Sequence, residues 1–376
     1  MGDTPAQCLY EDIVGTWVFS ESARSFDASV TCDELGDIVY SKVFDLSFPN
    51  VAVDELGNAG TWTIIYNQGF EVNVNERSYY AFSAYEGTFA NSTSFCDQTL
   101  NGWSRDKTVR NWSCFRGIKT TAVTPRVVQK IPGNLSQKKF VNDGSLIKAI
   151  NSVQKSWTAK AYDEFEQYTI EEMLFRAGGP GSIVLDPPSP APVTEELSAR
   201  IATLPVNLDW RNVSGENYLS PVRDQQSCGS CYAFASMAGL ESRIRISTKN
   251  QRQDVFSPQD IVDCSILSQG CIGGFNYLIA GRYAQDQGVV AEECNPYQGV
   301  DIFGGCGTDT SCSRTYVSEY SYVGGYYGAC NEELMLEALV TGGPFPVSYM
   351  VYDDFYNYES GVYIHTQLKS EFNPLV

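Results

Sequence analysis

Histidine is almost missing from this chain: His365 is the only one in 376 residues. With scattered cysteines and one imidazole there is no second ligand pair at finger-like spacing, so no metal is expected. Any nucleophile in the chain also has a single imidazole on which to draw. Cationic side chains are scarce as well, with 26 Lys and Arg against 45 Asp and Glu and a net charge of -19. A surface of that sign repels phosphate backbones and anionic headgroups, which excludes nucleic acid and membrane surfaces as partners. No apolar run reaches the roughly 18 to 20 residues that span a bilayer. No apolar leader follows Met1, so the start reads as processed or appended.

What is present points to a folded, exported protein. Hydrophobic residues make up 43% and aromatics 13%, enough for two or three domains with real cores. Twelve cysteines accompany four glycosylation sequons, at Asn91, Asn111, Asn134 and Asn212. Together they indicate the secretory route, where disulfides persist. The acidic balance is compatible with an acidic organelle, where carboxylates begin to protonate.

Three textures follow one another. From about Cys8 to Gly117, short alternating runs such as Thr61 to Ile65 and Glu71 to Asn75 are punctuated by Gly, Asn and Asp, which predicts a β-rich unit, a barrel. Its cysteines, Cys8, Cys32, Cys96 and Cys114, are enough to staple it, with three pairings open. From Ser145 the period lengthens: Leu146, Ile150, Val153 and Trp157 step along one helical face. A second helix is predicted from Thr169, whose hydroxyl pairs with Glu172 in a capping box, to Gly178-Gly179. The Pro-rich stretch Asp186 to Thr194 is predicted to be an exposed, extended linker open to proteolysis.

The chemistry lies in the third texture, from about Leu204. Met237, Leu240 and Ile244 recur at helical spacing, and Gly229-Ser230 offer the start, which puts Cys231 in the first turn. Unpaired N–H groups and the helix dipole there favour thiolate over thiol. The sequence Cys228-Gly-Ser-Cys231 admits three readings: structural disulfide cysteines, a CxxC redox pair, or a catalytic thiol. CGSCY is an instance of C-G-[SA]-C-[WY], the signature around the papain and cathepsin nucleophile. Gln225, three residues before Cys228, falls where an amide donates to the oxyanion formed at a peptide carbonyl.

Longer stretches extend the likeness: DTPAQC (Asp3 to Cys8), GTWVF (Gly15 to Phe19), QKSWTA (Gln154 to Ala159), DWRNV (Asp209 to Val213), SPVRDQQSCGSCYAFAS (Ser220 to Ser236) and QGCIGGFNYLIAGRYAQD (Gln269 to Asp286). On these, with YVGGYYGACNEELM and VYDDF further on, the chain resembles the cathepsin C (dipeptidyl peptidase I) family of papain-like cysteine peptidases along essentially its whole length. The resemblance implies an α+β protein. A β-barrel exclusion domain at residues 3–117 would precede a helical propeptide at 118–203 and a two-lobe papain-like peptidase at 204–376, its second lobe incomplete. It implies a lysosomal dipeptidyl aminopeptidase that acts on free N-termini of peptides and proteins, possesses a bound chloride, and is a homotetramer when complete.

Residue by residue, the resemblance makes Cys231 the nucleophile and Gln225 the oxyanion donor. Asp3 would pair with the substrate's α-ammonium, although Met1 and Gly2 precede it where the family chain begins. Gly273 and Gly274 would lie against substrate. Phe275, Tyr277 and Tyr322 would form the chloride-holding S2 pocket. Implied disulfides are Cys8–Cys96, Cys32–Cys114, Cys228–Cys271, Cys264–Cys306 and Cys294–Cys312, leaving Cys231 and Cys330 free. His365 follows the nucleophile by 134 positions, but GVYIHT resembles a segment upstream of the catalytic histidine. The family's catalytic His and Asn segments have no counterpart, so a longer natural gene and little turnover by this chain are expected. The alternatives are a catalytically dead binding protein and a thiol oxidoreductase using Cys228 and Cys231.

Overall fold

The computed structural model describes residues 4–88, 91–129, 137–178, 188–302 and 305–368. Its N-terminal part is antiparallel throughout. After a one-turn helix, α1 (Tyr10–Ile13), come β1 (Gly15–Ser22), β2 (Ile38–Ser47), β3 (Val51–Asp54), β4 (Ala59–Ile65) and β5 (Gly69–Val74). They are followed by β6 (Arg77–Thr88), β7 (Asn91–Thr99), β8 (Gly102–Asp106), β9 (Trp112–Lys119) and β10 (Arg126–Gln129). Strand order is β1-β2-β3-β4-β5-β6-β8-β9-β7-β10, and β9 pairs back onto β1, closing the sheet into a barrel. Closure removes the free edges that an open sheet of this length would expose.

Inward positions are aromatic. Trp17, Phe19, Phe44, Trp62, Phe70, Tyr79 and Phe115 fill the barrel, with Phe19 touching five of the other rings. Large rings fill a barrel with few residues and few rotatable bonds, which suits a short-stranded domain. Disulfides Cys8–Cys96 and Cys32–Cys114 tie the N-terminal segment and the β1–β2 loop to the barrel wall.

A buried ion pair sits inside. Glu21 is fully buried and meets Arg77 at 2.7 Å and Arg24 at 3.0 Å, while Ser113 and Ser104 donate their hydroxyls to it. Burial would push its carboxyl up, but the bonds from Arg24 and Ser113 and the charge on Arg77 outweigh that and hold it below the ordinary value of 4.5.

The middle segment departs from the sequence reading at two positions: Val153 is 59% exposed at the end of its helix, and Trp157 lies beyond it. Helix α2 (Gly144–Val153) is capped by Asp143, which accepts from Ser145 and Leu146, and it buries Leu146 and Ile150. Trp157 is not on that helical face. The Gln154 side chain accepts from the N–H groups of Ser156 and Trp157, turning the chain out of the helix. Trp157 then opens a three-residue strand, Trp157–Ala159, that pairs with Tyr358–Gly361. It is still buried, against Ile150 and Tyr363, so a spacing that fits a helix arose from two elements sharing one core. Helix α3 (Ile170–Arg176) starts on the Thr169–Glu172 capping box, and Gly178 adopts φ +110 just past its end. Of the Pro-rich stretch, the described residues from 188 onward are extended and mostly exposed, but Ala191 exchanges bonds with Ala329 and Asn331. Helix α4 (Glu195–Ile201) follows on a Thr194 cap.

The C-terminal part is built on α5 (Cys231–Ser247) and α6 (Pro258–Cys264). Met237 is fully buried and Leu240 and Ile244 pack beside it, in a core that also takes Ile65, Tyr80 and Phe82 from the barrel. The barrel and the C-terminal part thus share one apolar cluster. Disulfides Cys228–Cys271, Cys264–Cys306 and Cys294–Cys312 brace this half, and Cys231 and Cys330 are free. No helix among the described residues is long and apolar enough to cross a membrane.

Replacing Glu21 by Ala leaves the Arg77 guanidinium uncompensated inside the barrel and is expected to destabilise it by about 3 to 5 kcal/mol, read as a lowered urea midpoint. Because the folded-state pKa of Glu21 is depressed, its contribution is present above the ordinary Glu value and is lost as pH falls through the lower folded value. The gap between the two midpoints therefore narrows in acid.

Candidate active site

Cys231 stands at the first position of α5, half-buried, with Ser230 at the N-cap. A serine there ordinarily caps the helix through its hydroxyl. Here the Ser230 hydroxyl makes no such bond. It lies 2.6 Å from the Tyr297 hydroxyl, which itself donates to the Gln225 carbonyl at 2.7 Å. Tyr297 therefore clamps the start of the helix to the loop before it. Nothing in the sequence around Asn295-Pro296-Tyr297 had signalled that role.

The walls are tied to the same point. Cys228 is bonded to Cys271, and the Gly229 N–H donates to the Cys271 carbonyl at 2.9 Å. This disulfide joins the cysteine loop to the Gly273-Gly274 segment. It also removes the Cys228 sulfur from reach as a redox partner for Cys231, contrary to the CxxC oxidoreductase alternative. Gly273 has φ +146, and a Cβ at Gly274 would lie 2.7 Å from the Tyr232 ring, so neither position accepts a side chain without displacement.

The thiol differs from the sequence expectation. Burial pushes Cys231 above the ordinary thiol value, against the pull of the Tyr232 and Cys231 backbone N–H groups. Desolvation penalises the thiolate more than the helix terminus favours it. The Gln225 side chain donates to the Cys228 carbonyl at 2.9 Å and to the Arg176 carbonyl at 3.2 Å. Arg176, at the end of α3, holds that position by bonding Asp224 and the Gln226 carbonyl and by lying over Tyr168 and Phe165. The predicted oxyanion donor is thus already engaged by a carbonyl from the middle segment.

His365 lies elsewhere in its contacts: Nδ1 is 3.1 Å from Asp354 Oδ1, and the ring stacks on Tyr352. Asp354 also accepts from Tyr363 and twice from Thr366. Burial would raise its carboxyl, but these bonds hold it below the ordinary range.

The aromatic residues Phe275, Tyr277 and Tyr322 come together with one ring from the barrel, Tyr66. Phe275 stacks at 4.1 Å on Tyr66, in the β4–β5 turn, and Tyr277 stacks at 4.1 Å on Tyr322. The Tyr322 hydroxyl is buried with no hydrogen-bond partner among the described residues. Tyr66 and its neighbour Asn67 both have positive φ, the geometry of the tight turn that carries this ring to the peptidase. Asp3 and Asn134 lie outside the described residues. Asn91 and Asn212 are exposed, while Asn111 is half-buried and accepts from Arg77.

Two family descriptions match the chain: cathepsin C exclusion domain over residues 3–119, and papain family cysteine protease over residues 204–376. Cathepsin C of Schistosoma mansoni is 40% identical over 381 residues, covering 99% of this chain and 82% of that protein. A gut-specific cysteine proteinase of Caenorhabditis elegans is 30% identical, covering 59% of this chain and 72% of its own. Among solved structures, digestive procathepsin L2 proteinase from Tenebrio molitor larval midgut is 28% identical with a TM-score of 0.48, covering 61% of this chain and 72% of that one. An exclusion barrel in front of a papain-type cysteine site, with that identity over nearly the full chain, places the protein in the cathepsin C family of papain-like cysteine peptidases.

Proposed function

We propose that the protein is a dipeptidyl aminopeptidase, removing dipeptides from unblocked N-termini of peptides and proteins. The observation that carries this reading is the Tyr66–Phe275 stack, which brings a barrel ring onto Phe275, the residue we take to line the pocket for the second substrate residue. A cleft blocked there has room for two residues before the scissile bond. On this reading the domains divide as barrel at 3–117, propeptide at 118–203 and peptidase at 204–376, and Asp3 meets the substrate's ammonium.

In the proposed reaction the Cys231 thiolate adds to the carbonyl carbon of the second residue, and the charge on oxygen is met by the Gln225 amide and backbone N–H at the head of α5. Collapse expels the amine of the third residue, which must receive a proton. Water then attacks the thioester and releases the dipeptide. His365 is committed to Asp354 and Tyr352, so we assign it no part in the proton transfer and expect low turnover from this chain alone. The middle segment acts as a latency device: the Arg176 carbonyl holds Gln225, while desolvation keeps the Cys231 thiol above its ordinary value. The partnerless Tyr322 hydroxyl is a donor that suits a bound anion, and we assign the family's chloride to it. A lysosomal or other acidic secretory-pathway location and a tetrameric assembly go with the same reading.

The decisive assay uses protein expressed from its complete coding sequence and freed of the middle segment. It should release dipeptides from an unblocked peptide and leave the N-acetylated one intact. Cys231→Ser should lower that rate by about 10⁴-fold. Binding of peptide without any hydrolysis would favour the binding-protein alternative instead.

Two further outcomes are expected. With the middle segment in place, iodoacetamide should modify Cys231 more slowly at neutral pH than it modifies free cysteine, the rate climbing as pH rises through the elevated thiol value; excision should speed it. Gly274→Ala forces the Tyr232 ring aside and should cost about 1 to 3 kcal/mol in thermal or urea unfolding, with a matching fall in kcat/KM.

A further inference from the structure

The boundary between barrel and peptidase contains four charges from two domains. Glu71 on β5 and Arg105 on β8 face Arg282 and Asp286 of the peptidase, and all four are nearly out of contact with solvent. Arg282 Nη1 lies 3.2 Å from Glu71 and also donates to Ser78 Oγ at 3.2 Å. Arg282 Nε lies 3.2 Å from Asp286, which meets Arg105 Nε at 2.5 Å. The set is neutral in sum, two carboxylates against two guanidiniums, and it alternates in sign across the boundary. Such a cluster tolerates burial only while every member has its partner, so it specifies one relative placement of the two domains.

Glu71 does more than pair with Arg282. The Tyr320 hydroxyl donates to it at 2.7 Å, and burial together with the nearby Glu71 charge holds the Tyr277 phenol well above its ordinary value. Tyr277 packs edge-on to Tyr320 and face-on to Tyr322, and the Tyr320 ring occupies the space that a side chain at Gly281 would need. The chain of contact therefore runs from a barrel carboxylate, through the Tyr320 hydroxyl and its ring, to the stacked Tyr277 and Tyr322 rings beside Phe275.

We propose that Glu71 is a specificity-determining positioning residue: one carboxylate seats the barrel on Arg282 and, through Tyr277 and Tyr320, sets the shape of the pocket for the second substrate residue. The proposal rests on the dipeptidyl reading given above. Docking of the barrel and side-chain selection at that pocket are then one coupled property.

The test is Glu71→Gln in the complete, processed enzyme, which keeps the side-chain volume and removes the charge. The number of reactive Cys231 thiols, titrated with a thiol-directed epoxide, should equal wild type. KM for an unblocked dipeptidyl substrate should rise about tenfold with kcat nearly unchanged, and discrimination among second-residue side chains should flatten. An N-acetylated internally quenched peptide, refused by wild type, should now be cut slowly. Tyr320→Phe, which removes one donor and leaves all four charges, should raise KM by roughly threefold and flatten the same preference without opening the enzyme to the blocked peptide. Wild-type KM and side-chain preference in Glu71→Gln, at full thiol titration, would overturn the proposal; should that variant not fold, the same result in Tyr320→Phe overturns it. A wild-type enzyme that cuts blocked and unblocked peptides alike would sink the dipeptidyl reading first, and this inference with it.

Discussion

Ile65, Tyr80 and Phe82 of the barrel pack with Tyr232, Ala233 and Met237 of the helix that bears Cys231, and most other features of the site depend on that shared core. Tyr232 is the residue next to the thiol. Its ring forbids a side chain at Gly274 and its hydroxyl donates to the Gly270 carbonyl, so the glycine wall is positioned by a residue the barrel helps to bury. In a papain-type site the helix and the opposite wall must keep a fixed separation for an acyl group to fit between them. Here that separation is maintained by apolar packing that spans two domains, reinforced by the Cys228–Cys271 bridge.

The state of the thiol follows from a competition. A helix N-terminus contributes on the order of 1 kcal/mol in favour of an adjacent anion. Excluding water from a sulfur costs the thiolate more than that when no cation stands beside it, and the direction for Cys231 is upward. The Ser230 hydroxyl, tied to Tyr297, leaves the first N–H groups of α5 uncapped by side chain, so the terminus remains available to an oxyanion. Cys231 and Gln225 are therefore held in one place, the thiol desolvated and the amide engaged by the Arg176 carbonyl.

Features written in a few consecutive residues were legible in the sequence. The Thr169–Glu172 capping box starts α3 where expected, and CGSCY opens α5 at Cys231, because both are set by backbone geometry over one turn. The barrel was legible as alternation, and its aromatic filling follows from which residues alternate. Trp157 misled because burial, rather than helicity, is what its spacing recorded, and two elements can supply one buried stripe. Tyr297, Tyr66 and Glu71 were not legible at all. Each acts on a partner 67 or more positions away, and a lone aromatic or acid in a strand or loop carries no local sign of the group it will meet.

The strengths of the two sets of contacts bear on what excision of the middle segment would leave behind. That segment grips the peptidase through a three-residue strand pair, a small cluster around Trp157, and polar contacts such as Arg176–Asp224, whose aspartate is 65% exposed. Exposed ion pairs of that kind contribute about 0 to 1 kcal/mol. The barrel is attached by a continuous aromatic and aliphatic core and by a neutral four-charge cluster with no more than 6% exposure at any member. Withdrawing the barrel would leave Arg282 and Asp286 with only each other, stripped of Glu71 and Arg105, as well as baring Tyr232. A cut chain would thus lose its middle segment long before its barrel, and on the dipeptidyl reading proposed above it would keep the wall that limits its cleft to two residues.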